Sequence, residues 1–161
     1  SKKINNNYTI TKMFLTKFFI ITITLFFHKN LFGKEYLFKW FNNVKILDSI
    51  KFDDKTIYQL TLATGSWEDS EGNYGFLKCL GPIKINAEGK ADLEVICKGY
   101  DQLENKFSIK LVRKSDYDVG IGKAIYLSGT GRYKSLVDRK CKYAIKYIKE
   151  VTKGFYRHIC K

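Results

Sequence analysis

Histidine and proline are nearly missing from this 161-residue chain, which has His28 and His158 and a single proline, Pro82. Ser-His-Asp and Cys-His catalysis needs an imidazole as base. Only His158 lies in the body of the chain, two residues before Cys160 in what reads as a terminal strand, and it is expected to be non-catalytic. Zinc spacing is also missing, because Cys79, Cys97, Cys141 and Cys160 form no Cys-x-x-Cys. The glycines of Gly120-Ile121-Gly122-Lys123 and Gly129-Thr130-Gly131-Arg132 lack P-loop spacing. Positive φ and close strand approach account for such glycines instead. Glu68, Asp69, Glu71 and Asn73 bring oxygens together, but without the EF-hand spacing or its distal glutamate. They read as a solvated hairpin turn.

Acids are scarce too: 16 Asp and Glu stand against 29 Lys and Arg, a net charge of +13. No apolar run reaches the roughly 20 residues of a spanning helix. The longest, Phe18 to Phe27, follows Lys12 and Lys17 and leads through His28-Lys29-Asn30 to Gly33. A charged, an apolar and a small-residue region in that order form a secretory signal peptide starting at Met13. Residues 13–33 are therefore expected to be a signal peptide, residues 1–12 upstream translated sequence, and the exported chain to start near Lys34. That predicts a periplasmic or secreted location, where cysteines are read first as disulfides. Without its first 33 residues the chain keeps 24 basic and 16 acidic residues. A charge of that sign favours solubility and adhesion to anionic surfaces.

Residues 34–55 read as a leader, with Leu37, Trp40, Phe41, Val44 and Leu47 near helical spacing. From Ile57 the period becomes two. Tyr58, Leu60 and Leu62 alternate with Gln59, Thr61 and Ala63, and a strand is expected from Tyr74 to Ile85. Further strands carry Leu93, Val95 and Cys97, then Phe107, Ile109 and Leu111, then Ile121 to Leu127, then Tyr143, Ile145 and Tyr147, then Phe155 to Cys160. Turn residues separate them every 8–15 positions. The pattern predicts an all-β domain over 56–161, a small antiparallel meander barrel of six to eight strands.

Alternation also selects a cysteine pairing. If Ile85 faces Ala91 across the turn at Asn86–Gly89, then Ile83 faces Leu93 and Cys79 faces Cys97. Opposed residues of a non-hydrogen-bonded pair have Cα atoms about 4.5 Å apart, within disulfide reach. Cys141 and Cys160 are left to pair.

Two segments carry a resemblance. Ser128-Gly-Thr-Gly-Arg-Tyr-Lys134 resembles the late Gly-Thr-Gly-Arg/Lys-Tyr turn of allene-oxide-cyclase-like and dirigent-like β-barrels, although Ser135-Leu-Val-Asp138 replaces the Gly-x-x-Gly that often follows there. Trp67 to Gly75, with Cys79-Leu-Gly81 behind it, resembles small secreted proteobacterial proteins of unknown function. The resemblance implies a barrel and no activity, because no cyclase catalytic residue can be matched.

The functional expectation is an exported, disulfide-stapled barrel without enzymatic activity, in a structural or ligand-binding role. Trp67, Tyr74, Arg132 and Tyr133 are the candidate ligand-binding residues. The rivals are a lipocalin-like carrier of a small apolar ligand and a cyclase- or isomerase-type barrel enzyme. What separates them is whether the interior is filled or hollow with converging Tyr, Arg and Asp groups. No cofactor, metal or nucleic-acid partner is expected. A small molecule is the candidate partner, with membrane contact only through an uncleaved signal segment.

Overall fold

A computed structural model of the chain describes residues 35–148 and 152–161. The expected signal peptide and the residues before it lie outside this range. The described chain is a closed antiparallel barrel of eight strands in sequence order. The strands are β1 (Tyr36–Lys51), β2 (Ile57–Asp69), β3 (Tyr74–Ile85), β4 (Lys90–Asp101), β5 (Lys106–Asp116), β6 (Val119–Gly129), β7 (Cys141–Ile148) and β8 (Lys153–Cys160). A 3-10 helix, Gly131–Leu136, joins β6 to β7.

The expected leader is part of the barrel. Residues 36–51 form β1, which closes the sheet by pairing with both β2 and β8. The helical spacing read there is a coincidence of parity. Tyr36, Phe38, Trp40 and Asn42 are buried at period two, while Phe41 and Leu47 face solvent. Pairing with β8 reaches Asn43, and the rest of β1 pairs with β2 past a register shift between Ile46 and Asp48.

The first four hairpins share one turn. In Phe52–Thr56, Asp69–Asn73, Asn86–Lys90 and Asp101–Asn105 the first N–H donates to the fifth carbonyl at 2.9–3.0 Å. The fourth N–H donates back to the first carbonyl, and the fourth residue has positive φ: Lys55, Gly72, Gly89 and Glu104. This is a type I turn closed by a left-handed residue. In three of them the first side chain, Asp69, Asn86 or Asp101, accepts the N–H groups of the third and fifth residues through Oδ1. Asp–Asn contacts complete the set at Asp69 and Asp101. Within the Glu68–Asn73 turn, Asp69 Oδ1 thus serves the turn's own backbone, while Glu68 pairs with Lys39 and Glu71 with Arg132.

The β3–β4 register is the expected one, with Ile85 opposite Ala91, Ile83 opposite Leu93 and Cys79 opposite Cys97. Disulfides join Cys79 to Cys97 and Cys141 to Cys160, with Cα atoms 3.9 and 4.1 Å apart. All four sulfurs belong to buried residues, so both bridges lie in the core between neighbouring strands.

Parity in β2 is the reverse of the hydrophobic reading. Gln59 and Thr61 point inward, while Tyr58 and Leu60 are exposed. The inward polar groups are tolerated because Gln59 Nε2 donates to Tyr117 Oη at 2.6 Å and lies 3.4 Å from Thr61 Oγ1.

Candidate functional site

Three places concentrate chemistry: an aromatic cluster at one end of the barrel, a polar chamber towards the other, and a basic outer face.

The aromatic end lies under the 3-10 helix. Gly131 has φ +52°, where a Cβ is unfavourable, and it would also meet Asn105 Oδ1 at 2.3 Å. The turn swings Tyr133 and Leu136 into the core, leaving Thr130 and Arg132 outside. Tyr133 packs on Phe107 at 4.8 Å and against Trp67 at 6.2 Å, and Phe38 stacks on Trp67 at 4.9 Å. Tyr133 donates its hydroxyl to Asp101 and Tyr36 donates its own to Asp69, each at 3.1 Å. Two turn aspartates thus anchor two core tyrosines. Burial pulls the Asp101 carboxyl up, but hydrogen bonds from Asn105, Leu103 and Tyr133 outweigh it and hold the group below its usual range.

His158 sits in this cluster, fully buried and stacked on Phe38 at 4.6 Å. Tyr126 Oη lies 3.1 Å from Nε2 and Tyr156 Oη 2.9 Å from Nδ1. Burial lowers its pKa to about 3, so the ring is neutral, donating to one tyrosine and accepting from the other. Both nitrogens are engaged within the core.

The chamber lies further along the interior. Its volume is about 40 Å³, and its apolar wall includes Ala63, Leu93, Val95 and Leu111. Trp40, Thr61, Arg113, Tyr143 and Tyr147 add the polar groups. Arg113 is 2% exposed. Its Nη1 donates to Ser115 Oγ and to the Asp116 carbonyl, both at 2.6 Å, and Nη2 donates to the Tyr117 carbonyl at 3.1 Å. The guanidinium thereby holds the tight β5–β6 turn. Gly120 makes room for it, since a Cβ there would lie 1.9 Å from Ser115 Oγ and 2.9 Å from Nη1. Among the described residues Arg113 has no carboxylate partner, and its buried Nε has no acceptor. Trp40 Nε1, both polar side-chain atoms of Asn42 and, in the aromatic cluster, Trp67 Nε1 are likewise buried and unpartnered. Burial raises the Tyr143 hydroxyl well above its usual value and pushes Tyr147 up to about 12, against the pull of Arg113 on both. Both hydroxyls are neutral donors at physiological pH.

The outer face of β6–β8 and β1 is charged differently from its opposite. Across β4 and β5, lysines and acids pair: Lys110 with Glu94 and Lys114 with Asp92. Strands β6, β7 and β8 contain no Asp or Glu. Register lines up three outward rows: Val119, Lys146, Phe155 and Phe41; Ile121, Ala144, Arg157 and Lys39; Lys123, Lys142, Ile159 and Leu37. Two grooves of about 420 and 520 Å³ follow these rows, both lined by Ile121, Ala144 and Arg157.

The residues expected to bind a ligand are not gathered in one site. Trp67 and Tyr133 meet in the aromatic core, Tyr74 is 61% exposed on β3, and Arg132 pairs with Glu71 at 3.6 Å on the surface. Sequence reading missed Arg113, Asn42 and Trp40. A signal for the first was present: Arg113 continues the inward row Phe107, Ile109, Leu111, so a cation stands on a buried face.

No family model and no curated protein sequence matches this chain. A solved structure described as an enzyme from Penicillium herquei is similar in fold, with a TM-score of 0.54 over 76% of this chain and 92% of that one. The two are 12% identical, so the likeness concerns the barrel alone.

Proposed function

We propose that the barrel is exported and non-catalytic, and that it binds a small amphiphilic anion in the grooves on its outer β6–β8–β1 face. The observation that carries this reading is the contrast in space and charge. The interior chamber is about 40 Å³, whereas the outer grooves are about 420 and 520 Å³, within the usual size range of ligand sites. Their floor is apolar, with Phe41, Ile121, Ala144 and Phe155. Lys142, Lys146 and Arg157 surround it, together with Lys39, which pairs with Glu68 at 3.1 Å, and one acid, Glu35, at the larger groove. An apolar body with an anionic head matches both.

Export is supported by the signal-peptide pattern over 13–33 and by two buried disulfides, which persist in oxidising compartments. A non-catalytic role is supported by His158, whose two nitrogens are held by tyrosines. A chamber of this size also favours neither an apolar carrier nor an isomerase acting inside the barrel.

Calorimetric titration with laurate below its micellar concentration tests the reading. Saturable binding is expected, weakened at least tenfold by Arg157→Glu and by Ile121→Lys, and unchanged by Lys110→Glu on the opposite face. No binding, or equal binding by Arg157→Glu, overturns the proposal.

A further inference from the structure

We propose that the interior chamber is a site for a small monovalent anion of the size of chloride, bromide, nitrate or formate. The chamber has an apolar wall, and every polar side chain that lines it can donate a hydrogen bond. Arg113 brings a full positive charge that no described carboxylate offsets, and its Nε–H lacks an acceptor. Trp40 Nε1 is a second buried donor without an acceptor, from a residue that lines the chamber on β1, across the barrel from Arg113 on β5. Tyr143 and Tyr147 add hydroxyls to the lining. Isolated charge removed from water is costly unless paired, and unmade buried hydrogen bonds cost more. An anion in the chamber removes both penalties at once.

Size sets the class. A volume of about 40 Å³ exceeds the roughly 10–15 Å³ needed to seat one water, which admits a halide or a three- or four-atom oxyanion. A water also fits, but it leaves the charge of Arg113 uncompensated. Sulfate is larger and carries two charges, so its desolvation is harder to repay here. The outer grooves share only Ile145 and Tyr143 of β7 with the chamber lining, and their lysines and Arg157 take no part in it.

The test is thermal melting of the oxidised full chain at constant ionic strength, with sodium sulfate progressively replaced by sodium chloride. Sulfate stabilises proteins generally by exclusion from their surface, so plain solvent effects lower the melting temperature on this exchange. Anion binding predicts the opposite sign: a rise that saturates with chloride, repeated with bromide, nitrate and formate. Trp40→Phe should raise the apparent dissociation constant at least tenfold, and Arg113→Met should abolish the rise. If Arg113→Met does not fold, Trp40→Phe carries the test. Arg157→Glu on the outer face should leave the response intact. A falling melting temperature, an unsaturated rise, a full response in Trp40→Phe, or a response lost in Arg157→Glu overturns the proposal.

Discussion

Under the 3-10 helix, Phe38, Trp67, Phe107, Tyr133 and His158 fill the barrel with rings, and the polar tips of Tyr36, Tyr126, Tyr133 and Tyr156 all find partners. Towards the β5–β6 turn, Trp40 and Arg113 are equally buried yet leave donors unused beside a void. Both regions stand in the same strands, with β1 carrying Phe38 into one and Trp40 into the other. The difference shows where the chain is committed to stability alone. A filled core whose tyrosines, turn aspartates and histidine satisfy one another leaves only Trp67 Nε1 without a partner among its buried side-chain atoms, while a void beside a cation with no described carboxylate partner is stable at some cost and is shaped for an occupant.

Large-to-small substitution gives the sharpest contrast. Phe107→Ala removes a ring packed on Phe38, Trp67, Tyr126 and Tyr133 and should cost about 3–5 kcal/mol in denaturant unfolding. Asn42→Ala, at a residue whose polar atoms have no partner, should cost about 1 kcal/mol or less. Equal costs would erase the distinction between the two regions.

The disulfides should come next. Cys79→Ala with Cys97→Ala opens a bridge 18 residues apart in sequence and should lower stability by about 3 kcal/mol. The pair Cys141→Ala and Cys160→Ala should behave similarly, and non-reducing peptide mapping should recover only these two linkages. A Cys79–Cys141 peptide would overturn the register.

Acid sensitivity should trace to the aromatic region. His158 has a folded pKa near 3 against about 6.5 when unfolded, so below pH 6.5 the unfolded chain takes up a proton that the folded chain refuses. Its contribution is fully present above pH 6.5 and is lost as pH falls towards 3, at up to about 1.4 kcal/mol per pH unit. Asp101 acts lower: its folded carboxyl is held down, so its contribution fades only below the unfolded value of about 3.9. His158→Phe should be less stable at neutral pH, because two tyrosines lose a partner, and should lose one proton's worth of slope between pH 6.5 and 4. An unchanged slope would mean that the ring is not sealed.

Gly131→Ala should be milder than the loss of either disulfide, costing about 1 kcal/mol or somewhat more by straining the positive φ that seats Tyr133. A neutral outcome would show that the 3-10 plug is loosely held.

Much of the barrel was legible in the sequence, because period-two alternation and turn residues report directly on strands. The cysteine pairing followed from the same arithmetic: fixing Ile85 opposite Ala91 fixes Cys79 opposite Cys97. Failures came where polarity and burial disagree. Gln59 and Thr61 lie inward and Tyr58 and Leu60 outward, so hydropathy gave the wrong face of β2. In β1, the exposed Phe41 and Leu47 beside the buried Trp40 imitated a helical stripe. The shared turn was hidden because its left-handed residue is glycine in two hairpins but Lys55 and Glu104 in the others. Of the candidate binding residues, Trp67 and Tyr133 are buried in the aromatic core, and Tyr74 and Arg132 lie on the surface. Arg113 was visible only as a break in an inward row, and parity alone does not tell a turn staple from a site.

A bromide-soaked crystal of the oxidised protein tests the division of the interior most directly. The account predicts an anomalous peak inside the chamber, within hydrogen-bonding distance of Arg113 Nε and Trp40 Nε1, and none among Phe38, Trp67 and Phe107. Bromide confined to surface lysines, with water alone in the chamber, would contradict it.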